Sequence, residues 1–206
     1  MNFFLRLSAM VVVLVAAAPR SHGALHYSDF QNLIIPANLD GIYLNPLTGA
    51  TSTVPPSDFE TAPWLNLFFG GTAIGSNTYI APVITAPATG NGDGLVLKVL
   101  TLEEIGPAMN YAAGYNGSEN HTGSSPSQFE VGVPGYIGYA VRTATLSPVS
   151  YGWLRITISQ NGSGIIHDWA YQETPGVTIL AGSVPEPATA VLMLLTTAAL
   201  IFSRRR

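Results

Sequence analysis

The 206-residue chain has no cysteine, which excludes a disulfide framework and any thiolate metal site. A domain built from it must rely on its core. Cations are nearly as scarce. Of eight lysines and arginines, Arg6, Arg20, Arg204, Arg205 and Arg206 fall in the two terminal segments. Residues 24–186 keep Lys98, Arg142 and Arg155 against twelve acids from Asp29 to Glu186, three against twelve for a net charge of −9. A surface this poor in lysine argues against nucleic acid as a partner, because phosphate binding needs clustered cations to displace counterions. Calcium or a hydrated neutral glycan would be electrostatically easier. Helical signal is missing too: only residues 102–113 could make an amphipathic helix, and Gly106-Pro107 interrupts them.

Catalytic signatures are also absent. The sequence contains no Gly-x-Ser-x-Gly, no His-Glu-x-x-His and no phosphate-binding glycine loop. Of the four histidines, His22 lies near the N-terminus and His26, His121 and His167 are spread along the body. His167 adjoins Asp168, but neighbours on a strand point to opposite faces, so the two are expected not to pair. Glu103-Glu104 reads as a solvated loop, since paired carboxylate chemistry needs opposing elements at a set distance. Asn91-Gly92-Asp93-Gly94 offers Asn91 and Asp93 as calcium ligands, yet residues 95–100 bring only Lys98 as an ionisable group, and a tight turn accounts for it better. No metal and no cofactor is expected. Trp153, Trp169 and Tyr171 are the aromatic candidates for stacking on a glycan; the alternation of Trp169 and Tyr171 with Asp168 and Ala170 equally suits a core face. The three Asn-x-Ser/Thr triplets, at Asn116, Asn120 and Asn161, fall in turn-rich stretches where this pattern arises by chance.

What is present is strand pattern and turn chemistry. Residues 42–44, 64–69, 79–84 and 95–100 read as short strands between Gly, Pro and Asn turns. Residues 114–128, rich in Gly, Ser and Asn, read as an exposed loop. Alternation strengthens at 136–141 and 151–160, where Leu154, Ile156 and Ile158 share one face and Arg155, Thr157 and Ser159 the other. Asn161-Gly162-Ser163-Gly164 then turns the chain into 165–171, a hairpin by its spacing. Many short strands with 21 glycines and 15 prolines favour an all-β fold: a single β-sandwich or jelly-roll-like domain over residues 24–183.

Both ends carry addresses. Arg6, an apolar run over 7–18 and the small residues Ser21 and Gly23 read as a signal peptide over residues 1–23, handed to the Sec translocation machinery and cut ahead of Ala24 or one residue later. At the other end, residues 184–206 join three pieces. Val184-Pro185-Glu186-Pro187 is stiff and extended, because each proline fixes its own φ and biases the residue before it. Residues 188–202 are fifteen without a charge, and Arg204, Arg205 and Arg206 follow. At about 1.5 Å per residue that helix is roughly 22 Å long against a hydrocarbon core of roughly 30 Å, so it spans marginally, helped by snorkelling arginines. The three arginines would hold their end in the cytoplasm and the rest across the membrane.

Pro-Glu-Pro, apolar helix and arginine cluster together resemble the PEP-CTERM sorting signal of Gram-negative bacteria that make exopolysaccharide. The resemblance implies that Pro185, Glu186 and Pro187 are recognised by exosortase, that the tail is removed, and that the product reaches the cell envelope, outer surface or extracellular matrix. A second, looser resemblance to the same group lies in Tyr151-Gly152-Trp153, Asp168-Trp169-Ala170-Tyr171-Gln172, Pro175-Gly176 and Ala181-Gly182, with Gln172 where an acid is commoner. It implies an all-β body and brings no catalytic residues. The expected role is therefore structural or interactive and non-enzymatic, linked to exopolysaccharide or biofilm. The alternatives are a carbohydrate-binding, lectin-like module, or a secreted hydrolase in which the histidines meet carboxylates or a serine in one pocket.

Overall fold

The computed structural model describes residues 24–69, 71–85, 95–115, 117 and 121–185. The expected signal peptide, Asn91 and Asp93, Glu186 and Pro187, the apolar run 188–202 and Arg204, Arg205 and Arg206 lie outside the described residues. Among the described residues no helix is long and apolar enough to cross a membrane.

Thirteen strands make up the described body: β1 (Leu25–Tyr27), β2 (Leu33–Ile35), β3 (Ile42–Leu44), β4 (Thr51–Ser52), β5 (Leu65–Phe69), β6 (Ala73–Ser76), β7 (Ile80–Pro82), β8 (Lys98–Val99), β9 (Glu104–Ile105), β10 (Gly135–Val141), β11 (Ser150–Ile158), β12 (Gly164–Gln172) and β13 (Ile179–Leu180). The long strands β10, β11 and β12 form an antiparallel meander at the centre of a seven-stranded sheet. Each outer edge of the meander is closed by two short strands end to end. β1 and β2 share the free side of β12, and β7 and β8 share that of β10. Edges broken this way offer little template to another chain. A four-stranded sheet runs β4-β3-β5-β6, and β9 pairs with β13.

The alternation read in the hairpin is what places the core. Leu154, Ile156 and Ile158 of β11, with Ile137 and Tyr139 of β10, join Leu44, Leu65, Leu67 and Ile74 of the four-stranded sheet in one buried cluster. The opposite face of the meander, with Tyr151, Trp153 and Ala170, packs with Ile105, Ile179 and Ala181 around the β9–β13 pair. The fold of the described residues is thus all-β, without helices, and consistent with a sandwich of sheets. Residues 102–113 form β9 and turns, with Tyr111 in an isolated bridge to Val83.

Two expectations need correction. Within 114–128, read as an exposed loop, Tyr115 and His121 are buried, so part of the segment is core. The period-2 pattern also breaks in β12. Arg155 pairs with Asp168 but Ile156 pairs with Ile166, leaving His167 as the extra residue of a bulge. Two residues facing one partner share a side. His167 and Asp168 therefore stand together on the face of Arg155 and Thr157, where strict alternation would have separated them.

Candidate functional site

The chain leaves the body in steps that the hydrogen bonds mark. Ile179 and Leu180 pair with Ile105 and Glu104. The N–H of Ala181 donates to the Glu103 carbonyl, and the N–H of Leu102 to that of Ala181, both at 2.9 Å. Gly182 adopts φ 79 against the Tyr136 ring, where a Cβ would lie 2.6 Å from the phenol oxygen. The N–H of Ser183 then closes a turn on the Leu180 carbonyl at 3.0 Å. Among the described residues no further backbone hydrogen bond reaches Val184 or Pro185, and both are exposed. Pro185, first of the proline pair, stands two residues past Ser183, the last bonded residue among those described. Val184 and Pro185 are thus exposed and accessible to an enzyme.

A polar network sits on the bulged strand. Asp168, 2% exposed, accepts from Arg155 Nε at 2.8 Å, from Arg155 Nη2 at 2.6 Å and from the Tyr27 hydroxyl at 2.8 Å. Burial first, and then the bond to Asp168, push the Tyr27 phenol up to about 12. Beside it the Thr157 hydroxyl and His167 Nε2 are 2.8 Å apart, and His167 Nδ1 and Asn32 Oδ1 are 3.2 Å apart. An amide oxygen only accepts, so Nδ1 carries the proton and Nε2 accepts from Thr157. The N–H groups of Gln31 and Asn32 both donate to the His167 carbonyl, so the bulge also ties down the segment between β1 and β2.

That segment has Asp29 and Asn32 at positive φ, and its Phe30 ring lies 5.2 Å from the Arg155 guanidinium. Hydroxyl, imidazole and amide are linked in the order of nucleophile, base and orienting group. The chemistry stops short, however. The orienting group is a neutral amide, and the nearby carboxylate is already held by Arg155 and Tyr27. Burial and the neighbouring guanidinium lower the His167 pKa.

The other histidines lie elsewhere. His26 stacks on Tyr171 with centroids 4.8 Å apart. His121 is wholly buried, its Nδ1 accepting from the Val96 N–H at 3.0 Å. Glu103 accepts from the Leu100 N–H at 2.7 Å and Glu104 lies on β9, so that pair serves a turn and a ladder. Among the described residues no group of three or more His, Asp or Glu could hold a metal ion.

The stacking candidates are corrected by burial. Trp153 is 1% exposed, flanked by Tyr27 and Tyr136, and Trp169 is 3% exposed with Nε1 donating to the Pro46 carbonyl at 3.0 Å. Neither indole has a face for a sugar. Tyr171, half-buried, lines a cavity. Sequence reasoning passed over Arg142, Tyr79, Tyr111 and Tyr151, which line another. They come from four separate segments, so no local spacing could have marked them.

Residues 183–206 match the family model of the PEP-CTERM protein-sorting motif. The match begins at Ser183, the last of the described residues held by a backbone hydrogen bond. It implies an exported, membrane-passing precursor with exosortase as its processing partner. No curated protein and no solved structure matches the chain.

Proposed function

We propose that the chain is a precursor exported through Sec by a signal peptide over residues 1–23. Its single β-sandwich domain, residues 24–183, is delivered to the outer surface or matrix of a Gram-negative bacterium after exosortase acts at Pro185-Glu186-Pro187. Arg204, Arg205 and Arg206 keep the end of the tail in the cytoplasm until then. The mature domain is non-catalytic and has a structural or interactive role alongside exopolysaccharide. The observation that carries this reading is the coincidence at Ser183, where the backbone hydrogen bonds among the described residues stop and the matched motif starts. A cleavage enzyme needs an extended, accessible backbone; Val184 and Pro185 are exposed, and the prolines bias the segment toward extended geometry. A non-catalytic role is supported by the one hydroxyl–imidazole chain described above, whose adjacent carboxylate is occupied.

The test is the mass of the C-terminal peptide of protein recovered from its host, with and without that host's exosortase. We expect the tail to be missing after the Pro-Glu-Pro region only when the enzyme is present, with any added mass identifying the attached group. Arg204 to Arg206 intact in both strains would mean a plain membrane anchor and would sink the sorting reading.

A further inference from the structure

At the end of the seven-stranded sheet where β7, β10 and β11 meet, a cavity of ≈ 260 Å³ has Tyr79, Tyr111, Tyr151 and Arg142 in its wall. Backbone pairing fixes the set. The Arg142 N–H donates to the Tyr79 carbonyl at 2.9 Å, Val141 pairs with Ile80 and Ser150, and Tyr111 bridges Val83. The Tyr111 and Tyr151 rings lie 5.8 Å apart at 31°. The Tyr111 hydroxyl donates to the Gly106 carbonyl at 2.9 Å, which leaves its oxygen lone pairs to accept from a ligand hydroxyl. A second cavity of ≈ 390 Å³ lies on the other side of Arg142, with Ser147, Ser150, Tyr171 and Glu173 in its wall.

Arg142 is half-buried, and its Nη1 is steadied by the Thr145 carbonyl at 3.1 Å. Among the described residues the only ion pair is Arg155–Asp168, so Arg142 faces its cavity with its charge uncompensated by a carboxylate. The net charge of −9 over residues 24–186 favours neutral ligands at a distance, but screening confines that field to about 8–10 Å in physiological salt. Inside the cavity the guanidinium decides, since its planar fork fits a carboxylate bidentately. Glu173, in the second cavity only, would turn a carboxylate towards the tyrosine side.

We propose that this tyrosine-lined cavity binds a carboxylate-bearing sugar unit, a uronic acid of an extracellular polysaccharide. Arg142 takes the carboxylate, and Tyr79 and Tyr111 pack against the pyranose, with the buried Tyr151 ring backing Tyr111. The size argues for one sugar ring, because the volume falls below the roughly 300–1,000 Å³ of pockets for drug-sized ligands. The lining argues for a ring with both apolar CH faces and hydroxyls, because phenols offer a π-face and an oxygen together. The proposal rests on the exported, matrix-associated reading above and names the partner of that surface.

The test is calorimetric titration, on protein purified from its native host, of a galacturonate trisaccharide against a neutral glucose trisaccharide and a Glu-containing tripeptide. We expect the uronate to bind. Arg142→Gln should weaken it about tenfold or more, as loss of a charge-assisted pair does. Arg142→Lys should recover part of the loss, and Tyr79→Ala should weaken both sugars while the melting temperature stays unchanged. No heat from the uronate, equal binding by Arg142→Gln, or a tripeptide that binds as tightly as the uronate would each overturn the proposal. The sorting reading fails separately: a chain that keeps its tail yet binds uronate loses exosortase and keeps this site, and a processed chain that ignores uronate does the reverse.

Discussion

His121 shows what single residues hold in this protein. Its imidazole is wholly buried against the Tyr115 ring, Nδ1 takes the Val96 N–H, and Nε2 has no hydrogen-bond partner among the described residues. Burial lowers its pKa from 6.5 to about 4. Between those values the unfolded chain binds a proton that the folded chain does not, so stability is lost as pH falls from 6.5 towards 4. At 1.36 kcal/mol per unit the loss at pH 5 is about 2 kcal/mol. His167, whose pKa burial also lowers, adds a share of the same sign. His121→Asn keeps an acceptor near Nδ1 and removes the titration. Unfolding free energies from urea titrations at pH 7 and pH 5 should therefore differ by about 2 kcal/mol less in the variant than in the parent; equal differences would show that His121 does not carry the acid sensitivity. The sequence hid this residue. Gly, Ser and Asn around it read as loop, and only contacts with Val96, 25 positions away, reveal a core histidine.

At the scale of elements, the β11–β12 hairpin was legible because its apolar residues recur at period 2 over nine-residue strands. Its bulge was not, since Ile165, Ile166 and His167 carry no mark of which residue is extra. The same holds for Phe68. It sits in a bulge of β5 at φ 63, unusual for a bulky residue, and its ring fills the place above Gly164. A Cβ on Gly164 would lie 2.5 Å from the Thr157 carbonyl oxygen and 2.6 Å from that ring. The backbone oxygen cannot swing aside, so Gly164→Ala should cost about 3 kcal/mol by overpacking. Gly176, at φ 78 with nothing within 4 Å, bears only the left-handed strain, and Gly176→Ala should cost about 1 kcal/mol. Denaturant midpoints of the two variants check the order; a Gly176 variant as damaged as the Gly164 variant would refute the inter-sheet lock between Phe68 and Gly164.

The described body is built on two buried clusters, one between the large sheets and one closed by β9 and β13. The first was readable from alternation. The second was not, because two-residue strands such as Glu104–Ile105 and Ile179–Leu180 are too short to show a period. The sorting segment was readable for the opposite reason: its function depends on local stiffness and an apolar run, which need no tertiary context. The two meet at the chain's exit, where Ile179 and Ala181 are buried beside Trp153 while Val184 is exposed. The mature domain should therefore be complete at Ser183 and incomplete a few residues earlier. A chain ending at Ser183 should melt within about 2 °C of one that retains Pro185-Glu186-Pro187, which is under 1 kcal/mol at this size. One ending at Thr178 loses the buried Ile179 and Ala181, about 3 kcal/mol, or on the order of 10 °C. The shorter chain should also show red-shifted tryptophan emission as Trp153 meets water. Equal melting of all three would mean that β13 is a passenger, and that the body releases the chain before the sorting segment begins.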